Sequence, residues 1–281
     1  MAQKFVTSTL NLLSKRWILK DGGPMNRMMR RPSNSIRLIS QQSDQVIEDK
    51  DRQLPKNNLI LPEEDRYDFF RLKNLFTIEE LLEARVHFGH KESMLNPHMR
   101  PFIFGKRLGV HIIDLDKTAE LLEKALTVTA EMAYRSGIIL FVHQSRQTGY
   151  MVEEMAKQCG EYAFCRRWNT RVLTDSHKEF GSVVRLPDLV VLFTSVDIAD
   201  STHEAISNSA KMLIPTVAVC DTNANPTLVT YPIPGNDDTP ESIELYCRLF
   251  KIATLNGKAK RHEIIQKYGE EFYYKTLEVD S

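Results

Sequence analysis

Short segments that are apolar throughout and alternate with helical patterns constrain the fold of this chain most strongly. The clearest are residues 138–142, 189–193 and 215–220. Strands that are apolar throughout are buried on both faces, whereas half-exposed strands alternate apolar with polar residues. Because helical patterns separate these segments, they predict a parallel sheet with helices on both faces. We therefore expect a three-layer α/β domain with a parallel sheet of about five strands.

Capping signals predict where several helices begin and end. A capping-box pattern at Thr77 predicts a helix to about Val86. A second helix is expected to begin at Asp114 or Asp116, and Gly137 is expected to end it in the left-handed conformation. Further elements are predicted at residues 110–113 (the first strand of the sheet), 147–159 (helix), 162–165 (a weaker strand), 200–212 (helix) and from Thr239 onward (helix).

The charge of the chain is unevenly distributed, although its 37 basic and 37 acidic residues balance. Residues 1–43 carry eight basic residues and one acid, and the remainder carries 29 basic and 36 acidic residues, a net charge of −7. A basic, acid-poor leader that contains Ser, Thr and apolar residues is typical of a mitochondrial transit peptide. A disordered basic arm that binds nucleic acid or a membrane is the alternative.

Composition divides the chain into four parts. We expect a transit peptide at residues 1–42, an extended N-terminal arm at 43–76, the α/β core at 77–258 and a C-terminal helical extension at 259–281. No apolar run approaches the roughly 18 residues that a membrane span requires, so the sequence predicts no span. The four cysteines contain no C-x-x-C pair, which argues against a disulfide framework and against the usual zinc site.

The predicted strand ends lack the chemistry of a nucleotide site. The turn after residues 110–113 contains two acids and no glycine, whereas phosphate-binding turns need glycines for a close backbone approach. Residues 143–149 contain neither G-x-G-x-x-G nor a P-loop pattern. Ser145, Cys220 and the Asp237-Asp238 pair also lack the context of a nucleophile or a catalytic dyad. The residues therefore predict no cofactor and no enzyme signature.

Four histidines lie within 25 residues, at His87, His90, His98 and His111. A metal site would need further ligands at fixed offsets, and the sequence does not show them. We interpret these histidines as structural residues that hydrogen-bond a loop, with a metal site as the alternative.

Blocks of sequence in and beside the predicted loops, rather than the apolar core, indicate the function. They lie at residues 86–90, 96–105, 107–118, 167–168, 173–174, 187–189, 221–223 and 231–238. In this order, and across about residues 77–257, they resemble the family of small ribosomal subunit protein two. The basic leader makes the mitochondrial branch of that family the best match.

The resemblance implies a flavodoxin-like domain of five strands that binds no nucleotide. It also implies a position near the junction of the head and body of the small subunit. Bacterial relatives insert a helical hairpin after the block at residues 173–174, but here only residues 175–186 precede the next block, so that hairpin is not expected. Thr170-Arg171 stands where the family usually has two glycines, and Ser145 stands where it usually has lysine.

Cations interleaved with aromatic residues predict the RNA contacts. Cations pair with phosphates, and guanidinium or aromatic planes stack on unpaired bases. The alternative is that the aromatic side chains fill the core and the cations form a solvated rim. The candidate RNA-binding residues are Lys91, Arg100, Lys106, Arg107, Arg146, Arg167, Trp168 and Arg171.

The sequence thus predicts a structural constituent of the mitochondrial small ribosomal subunit in the matrix. Its expected partners are ribosomal RNA and neighbouring ribosomal proteins, with no catalysis, no metal and no small-molecule substrate. A net charge of −7 beyond the leader favours a modest RNA footprint and larger protein contacts, for which the arm and the C-terminal extension are candidates. The alternatives are a matrix enzyme with a nucleotide-binding-like α/β fold and a free RNA-binding regulator.

Overall fold

A computed structural model of the protein describes residues 68–181, 184–197 and 201–269. Its helices and strands are, in chain order, α1 (Ile78–Glu83), β1 (Phe88–Lys91), β2 (Ile103–Arg107), β3 (Val110–Ile113), α2 (Leu115–Tyr134), β4 (Ile139–Val142), α3 (Gly149–Cys159), β5 (Tyr162–Phe164), α4 (Arg171–Thr174), α5 (Ser176–Phe180), β6 (Leu189–Leu192), α6 (Glu204–Lys211), β7 (Thr216–Cys220), β8 (Tyr231–Pro234) and α7 (Pro240–Tyr268). Short 3₁₀ turns lie at Glu92–Met94, Pro97–Phe102 and Pro226–Leu228.

Five of these strands form one parallel sheet in the order β5-β4-β6-β7-β8. All four neighbouring pairs run parallel, with Phe141 opposite Val191 and Val191 opposite Val217 in the central strands. The chain starts at β4 and winds to both sides, which is the flavodoxin-like order. The predicted three-layer α/β fold with a five-stranded parallel sheet is confirmed.

Each face of this sheet has its own apolar core, which explains why the strands are apolar throughout. On one face Phe141 and Phe193 pack with Phe250 of α7, alongside α2 and α3. On the other face Leu192 and Ala218 lie in a core completed by α4, α6 and Met99. The prediction of helices on both faces is therefore confirmed.

The strand count is right, but one predicted member of the sheet is wrong. Residues 110–113 do form a strand, but β3 is the centre of a separate antiparallel sheet in the order β1-β3-β2. The fifth parallel strand is β8, which contains Pro232 and Pro234. Prolines lack the N–H that a central strand needs, and β8 tolerates them because it is an edge strand. The same prolines hid this strand in the sequence.

The helix α2 ends one residue earlier than the glycine signal indicates. Ser136, with φ 61°, takes the left-handed conformation that was expected of Gly137. The N–H groups of Ser136 and Gly137 donate to the carbonyls of Ala133 and Met132, which is a Schellman arrangement. A Cβ at Gly137 would lie 3.1 Å from the Met132 carbonyl oxygen, so the glycine serves this close approach instead.

The final helix α7 continues the core into the predicted C-terminal extension, since residues 259–268 belong to the same helix as Pro240. The rest of that extension, the predicted transit peptide and most of the predicted arm lie outside the described residues. Within the described part of the chain, no helix is both long enough and apolar enough to cross a membrane.

Replacing Gly257 by Ala should destabilise the fold. A Cβ at Gly257 would lie 2.2 Å from the Ala130 backbone oxygen and 3.0 Å from the Ala133 Cβ, where α7 crosses α2. Overpacking of this kind costs about 1–3 kcal/mol, and it exceeds the roughly 1 kcal/mol that Ala adds in helix propensity. Urea denaturation should show the loss in the free energy of unfolding.

The control for this substitution is Gly105→Ala, because no atom lies within 4 Å of a Cβ at that position. Its unfolding free energy should stay within about 0.5 kcal/mol of the parent. Equal losses in the two variants would contradict the packing explanation.

Candidate nucleic-acid interface

Four of the eight candidate residues lie beyond the carboxyl ends of two parallel strands. Arg146 follows β4, and Arg167, Trp168 and Arg171 follow β5. In a parallel sheet these ends share one edge, where doubly wound proteins place their functional loops. The sequence could not place them together, since the strand order was not known.

The antiparallel sheet is anchored to this same edge through Thr222, which follows β7. The His90 backbone N–H donates to the Thr222 hydroxyl oxygen at 2.8 Å, and the Asn96 N–H donates to the Thr222 carbonyl oxygen at 2.8 Å. A Cβ at Gly89 would lie 2.4 Å from Thr222 Cγ2. Only glycine allows β1 to approach this closely, and β1 ends at Lys91, one of the candidate cations.

An ion pair supports this anchor. His90 Nδ1 lies 2.8 Å from Asp221 Oδ2, and its Nε2 lies 3.4 Å from Asp238 Oδ2. The hydrogen bond to Asp221, aided by the nearby acids, raises the pKa of His90 to about 9. The imidazole is therefore charged at neutral pH and neutralises a buried carboxylate, as buried charges require.

The surrounding acids give this anchor a strongly negative environment. Burial and the charge of Asp221 raise the pKa of Asp237 well above its usual value. His90, Asp221 and Asp238 bring potential metal ligand atoms within 4.8 Å of one another. His90 bonds the loop after β7 through Asp221, as the structural interpretation predicts, and the same three side chains are the ones that a metal ion would use. His87, His98 and His111 do not join the cluster.

The crevice between β4 and β6, where a flavodoxin-like sheet would hold a nucleotide, contains the protein's own side chains. His143 Nδ1 lies 3.1 Å from the Thr194 hydroxyl, and its Nε2 lies 2.5 Å from the Thr148 hydroxyl. Burial lowers the pKa of His143 to about 4, so the ring is neutral. Both ring nitrogens thus have internal partners across the switch point.

Seven of the eight candidate residues are exposed cations, at Lys91, Arg100, Lys106, Arg107, Arg146, Arg167 and Arg171. We call this set the basic rim. Lys106 forms an ion pair with Glu92 at 2.7 Å. The other six have no carboxylate within ion-pair distance among residues 68–181, 184–197 and 201–269, whereas Arg135 and Arg248 are paired with acids at 2.7 Å. The rim therefore keeps cationic charge available to an external anion.

Trp168 does not belong to the surface, and its prediction as a stacking residue is wrong. Its side chain is only 7% exposed and lies in the second core. It packs edge-on against Phe164, with ring centroids 5.1 Å apart, and against His203 at 6.0 Å. An indole buried in this way cannot stack on a base. The alternative that aromatic residues fill the core holds at this position.

One residue that the sequence did not indicate stands out at the tip of the β2–β3 hairpin. Leu108 is 95% exposed and has φ 52°, followed by Gly109 with φ 78°. Two successive positive φ angles are typical of a type I′ hairpin turn, in which Asn-Gly is the usual signal. Because leucine stands at the first position, only Gly109 could have revealed the turn. The hairpin projects Lys106 and Arg107 beside this apolar tip.

Comparison with known proteins shows which family this chain belongs to. The sequence family described as "Ribosomal protein S2" matches residues 81–185 and 176–257. The chain belongs to the ribosomal protein S2 family. It is 47% identical over 201 residues to the bovine "Small ribosomal subunit protein uS2m", an alignment that covers 72% of this chain and 69% of the bovine protein.

Bacterial members are also similar. "Small ribosomal subunit protein uS2" of Rickettsia akari is 38% identical over 220 residues, which covers 64% of this chain and 75% of that protein. The protein of Rickettsia felis is similar to the same extent. The higher identity to the bovine protein supports the mitochondrial branch. Membership in this family gives the protein a structural role in the small ribosomal subunit, and the alternative of a matrix enzyme is set aside.

The ion pair of His90 predicts a pH dependence of stability. The folded pKa of about 9 lies above the unfolded value of 6.5, so its contribution is full below about pH 6.5 and is lost as the pH rises through about 9. Unfolding free energy should fall by roughly 1 kcal/mol between pH 7.5 and pH 9.5, allowing for the partial exposure of the ring. Urea midpoints across that range measure the loss.

The matched variant is His90→Asn, which keeps a hydrogen-bond donor near Asp221 but does not titrate. Its stability should be lower than that of the parent at pH 7.5 and nearly flat from pH 7.5 to pH 9.5. A variant with the slope of the parent would show that another group titrates in this window.

Proposed function

We propose that this protein binds the ribosomal RNA of the mitochondrial small subunit through the basic rim. The observation that carries the proposal is the state of the rim: seven exposed cations, six of them without a carboxylate partner in the described chain. Guanidinium groups pair with phosphate through two parallel hydrogen bonds, which makes unpaired arginines suited to an RNA backbone.

The basic rim has two parts, one on the antiparallel sheet and one on the connections of the parallel sheet, and the fold holds them at a fixed separation. The hairpin residues lie on a sheet that Thr222 anchors, and Arg146, Arg167 and Arg171 lie on connections of the parallel sheet itself. Rigid placement of cations is expected to recognise the shape of a folded RNA rather than its sequence. The remaining surface, which is acidic on balance, is then left for neighbouring ribosomal proteins.

This binding is proposed to place the protein near the head–body junction, to be required for assembly of the small subunit and to support mitochondrial translation. The position near the head–body junction is the one that the family resemblance implies. The assembly requirement follows from the rim, because RNA helices that are not held by the protein lose part of the electrostatic stabilisation of their packing. A free RNA-binding regulator would use the same cations but would not stay with the subunit.

Replacing Arg100, Lys106 and Arg107 together by Ala should weaken incorporation into the small subunit. Each lost phosphate contact lowers affinity and reduces its salt dependence, so the variant should leave the subunit at lower salt than the parent. Sedimentation of mitochondrial lysates at increasing salt, with blotting of gradient fractions, measures the effect.

The matched control is Lys124→Ala/Lys157→Ala/Lys211→Ala, which removes the same charge from exposed positions on α2, α3 and α6. It should co-sediment with the subunit at the salt concentration of the parent. Equal behaviour of the two triple variants would place the RNA contacts elsewhere on the surface. A parent protein that remains at the top of the gradient would contradict the ribosomal role itself.

Residues 1–42 are proposed to be a transit peptide that directs the protein to the mitochondrial matrix. Their basic, acid-poor composition supports this. Deleting them should leave the protein in the cytosol, while fusion of these residues to a reporter should carry it into protease-protected matrix. Import of the deleted form at the normal level would contradict the assignment.

A further inference from the structure

Tyr150 is an aromatic residue whose side chain lies at the surface. It is the second residue of α3, and it is 64% exposed. Among residues 68–181, 184–197 and 201–269, its hydroxyl has no hydrogen-bond partner and its ring contacts no other ring. Single exposed aromatic residues are common on protein surfaces, so the position of Tyr150 matters only through what surrounds it.

The turn before α3 brings Arg146 close to Tyr150. The Gly149 N–H donates to the Ser145 carbonyl oxygen at 3.0 Å, a bond between residues four apart. This bond gives the turn the spacing of a helix, in which positions i and i+4 lie on the same side. Arg146 is exposed and precedes Tyr150 by four positions, so it lies on the side of the ring.

The loop that follows β5 packs against the same turn. A Cβ at Gly149 would lie 3.4 Å from the Cys165 Cβ, so the first residue of α3 is in contact with the end of β5. Cys165 directly precedes Arg166 and Arg167. Both arginines are exposed, and neither has a carboxylate partner in the part of the chain that the structure describes. Three arginines thus lie at the edge of the sheet from which Tyr150 projects.

Buried contacts fix both of these segments. Thr148, the residue before α3, is buried, and its hydroxyl lies 2.5 Å from His143 Nε2. Trp168, which directly follows the two arginines, is buried against Phe164 and His203. The backbone that carries the ring and the guanidinium groups is therefore held in place before any partner binds. Such preorganisation lowers the entropy cost of binding.

Acidic residues limit an RNA contact to the start of α3. Glu153 and Glu154 lie three and four positions after Tyr150, one turn further along the helix. Their charges repel a phosphate along α3, whereas the three arginines attract one beside its first turn. The charges therefore favour a short contact, in which the RNA backbone lies on the arginine side and a base lies against the ring.

Two other exposed aromatic residues lack these surroundings. Tyr162 is 62% exposed, but it begins β5 and so lies at the opposite edge of the parallel sheet. Phe104 is 79% exposed at a bulge of β2, where Asp114 and Asp116 lie nearby and would repel phosphate. Tyr150 differs from both because its exposed ring lies among unpaired cations.

We propose that Tyr150 stacks on an unpaired base of the small-subunit ribosomal RNA, while Arg146, Arg166 and Arg167 bind the flanking phosphates. Every base has a π face that a tyrosine ring can cover, and in loops and bulges those faces are free. The proposal rests on the proposed binding of ribosomal RNA by the basic rim. It gives Tyr150 the stacking role that the sequence assigned to Trp168.

Site-specific crosslinking tests this contact in assembled subunits. Azidophenylalanine replaces Tyr150 in the full-length protein, and in the matched control it replaces Tyr162. Small subunits are isolated by sedimentation and irradiated, and crosslinked nucleotides are mapped by stops of reverse transcription. We expect position 150, and not position 162, to crosslink to a nucleotide that is unpaired in the subunit RNA. Crosslinks to protein alone, or none from a labelled protein that has entered the subunit, would overturn the proposal.

Rebinding to the subunit separates stacking from charge. Small subunits stripped of this protein at high salt are titrated with each full-length variant over a range of salt concentrations. Tyr150→Leu should lower the affinity about tenfold at every salt concentration, because it removes the stacked ring and no ion pair. Tyr150→Phe keeps the ring and should stay within about twofold of the parent. Arg146→Ala should instead reduce the salt slope by about 1.

Tyr162→Leu is the control for the loss of an exposed ring, and it should rebind like the parent. Urea midpoints of both leucine variants should match the parent, because both positions are exposed. Equal affinities of Tyr150→Leu and Tyr162→Leu, together with a reduced salt slope of Arg146→Ala, would leave RNA binding by the rim intact and overturn the stacking alone. A parent protein that does not rebind the subunit would contradict the ribosomal function, and the stacking proposal would fail with it.

Discussion

The joint between the two sheets is the interaction on which the functional surface depends. Asp221 is buried just after β7. A buried carboxylate that has no partner destabilises the folded state. His90 supplies the pairing charge, and Thr222 bonds the backbone of the same turn. Because Gly89 has no Cβ, the two segments approach within the distance that these bonds need. The position of the hairpin, and so of Lys106 and Arg107, follows from this joint.

The parallel sheet plays a different part, since it serves as a scaffold. Both faces are covered by apolar side chains, and the crevice where related folds bind nucleotides is bridged by His143 and Thr194. The side chains that can bind a partner therefore lie in the basic rim and not in the crevice of the sheet. Within the part of the chain that the structure describes, six cations without a carboxylate partner lie on the connections and on the antiparallel sheet.

Sequence reasoning identified the elements whose local pattern is strong and missed those that tertiary context permits. The apolar runs of β4, β6 and β7 and the amphipathic pattern of α2 appear directly in the structure. The strand β8 was missed because prolines are excluded from central strands and tolerated only at an edge. Strand β3 was assigned to the wrong sheet because four residues cannot report which partner they pair with.

The same division holds for the candidate site. Seven charged candidates are exposed, as their residue type favours, because burying an unpaired cation is costly. Trp168 was misjudged, since an aromatic residue among arginines fits either a stacking surface or a core, and only packing distinguishes them. Phe104 is the opposite case: the bulge that exposes it depends on the pairing register of β2 with β3. The positive φ falls on Ser136, one residue before the expected glycine, while Gly137 makes a close approach to the Met132 carbonyl oxygen.

By itself the sequence determined the fold class, the family and the set of candidate cations, because apolar periodicity, family blocks and residue charge are local properties of the chain. The tertiary structure alone decided which cations lack a carboxylate partner among the described residues and which aromatic side chains reach solvent. Those properties depend on contacts between residues far apart in the chain, such as His90 and Asp221, which are 131 positions apart. Pairing, burial and approach distance arise only when such residues meet.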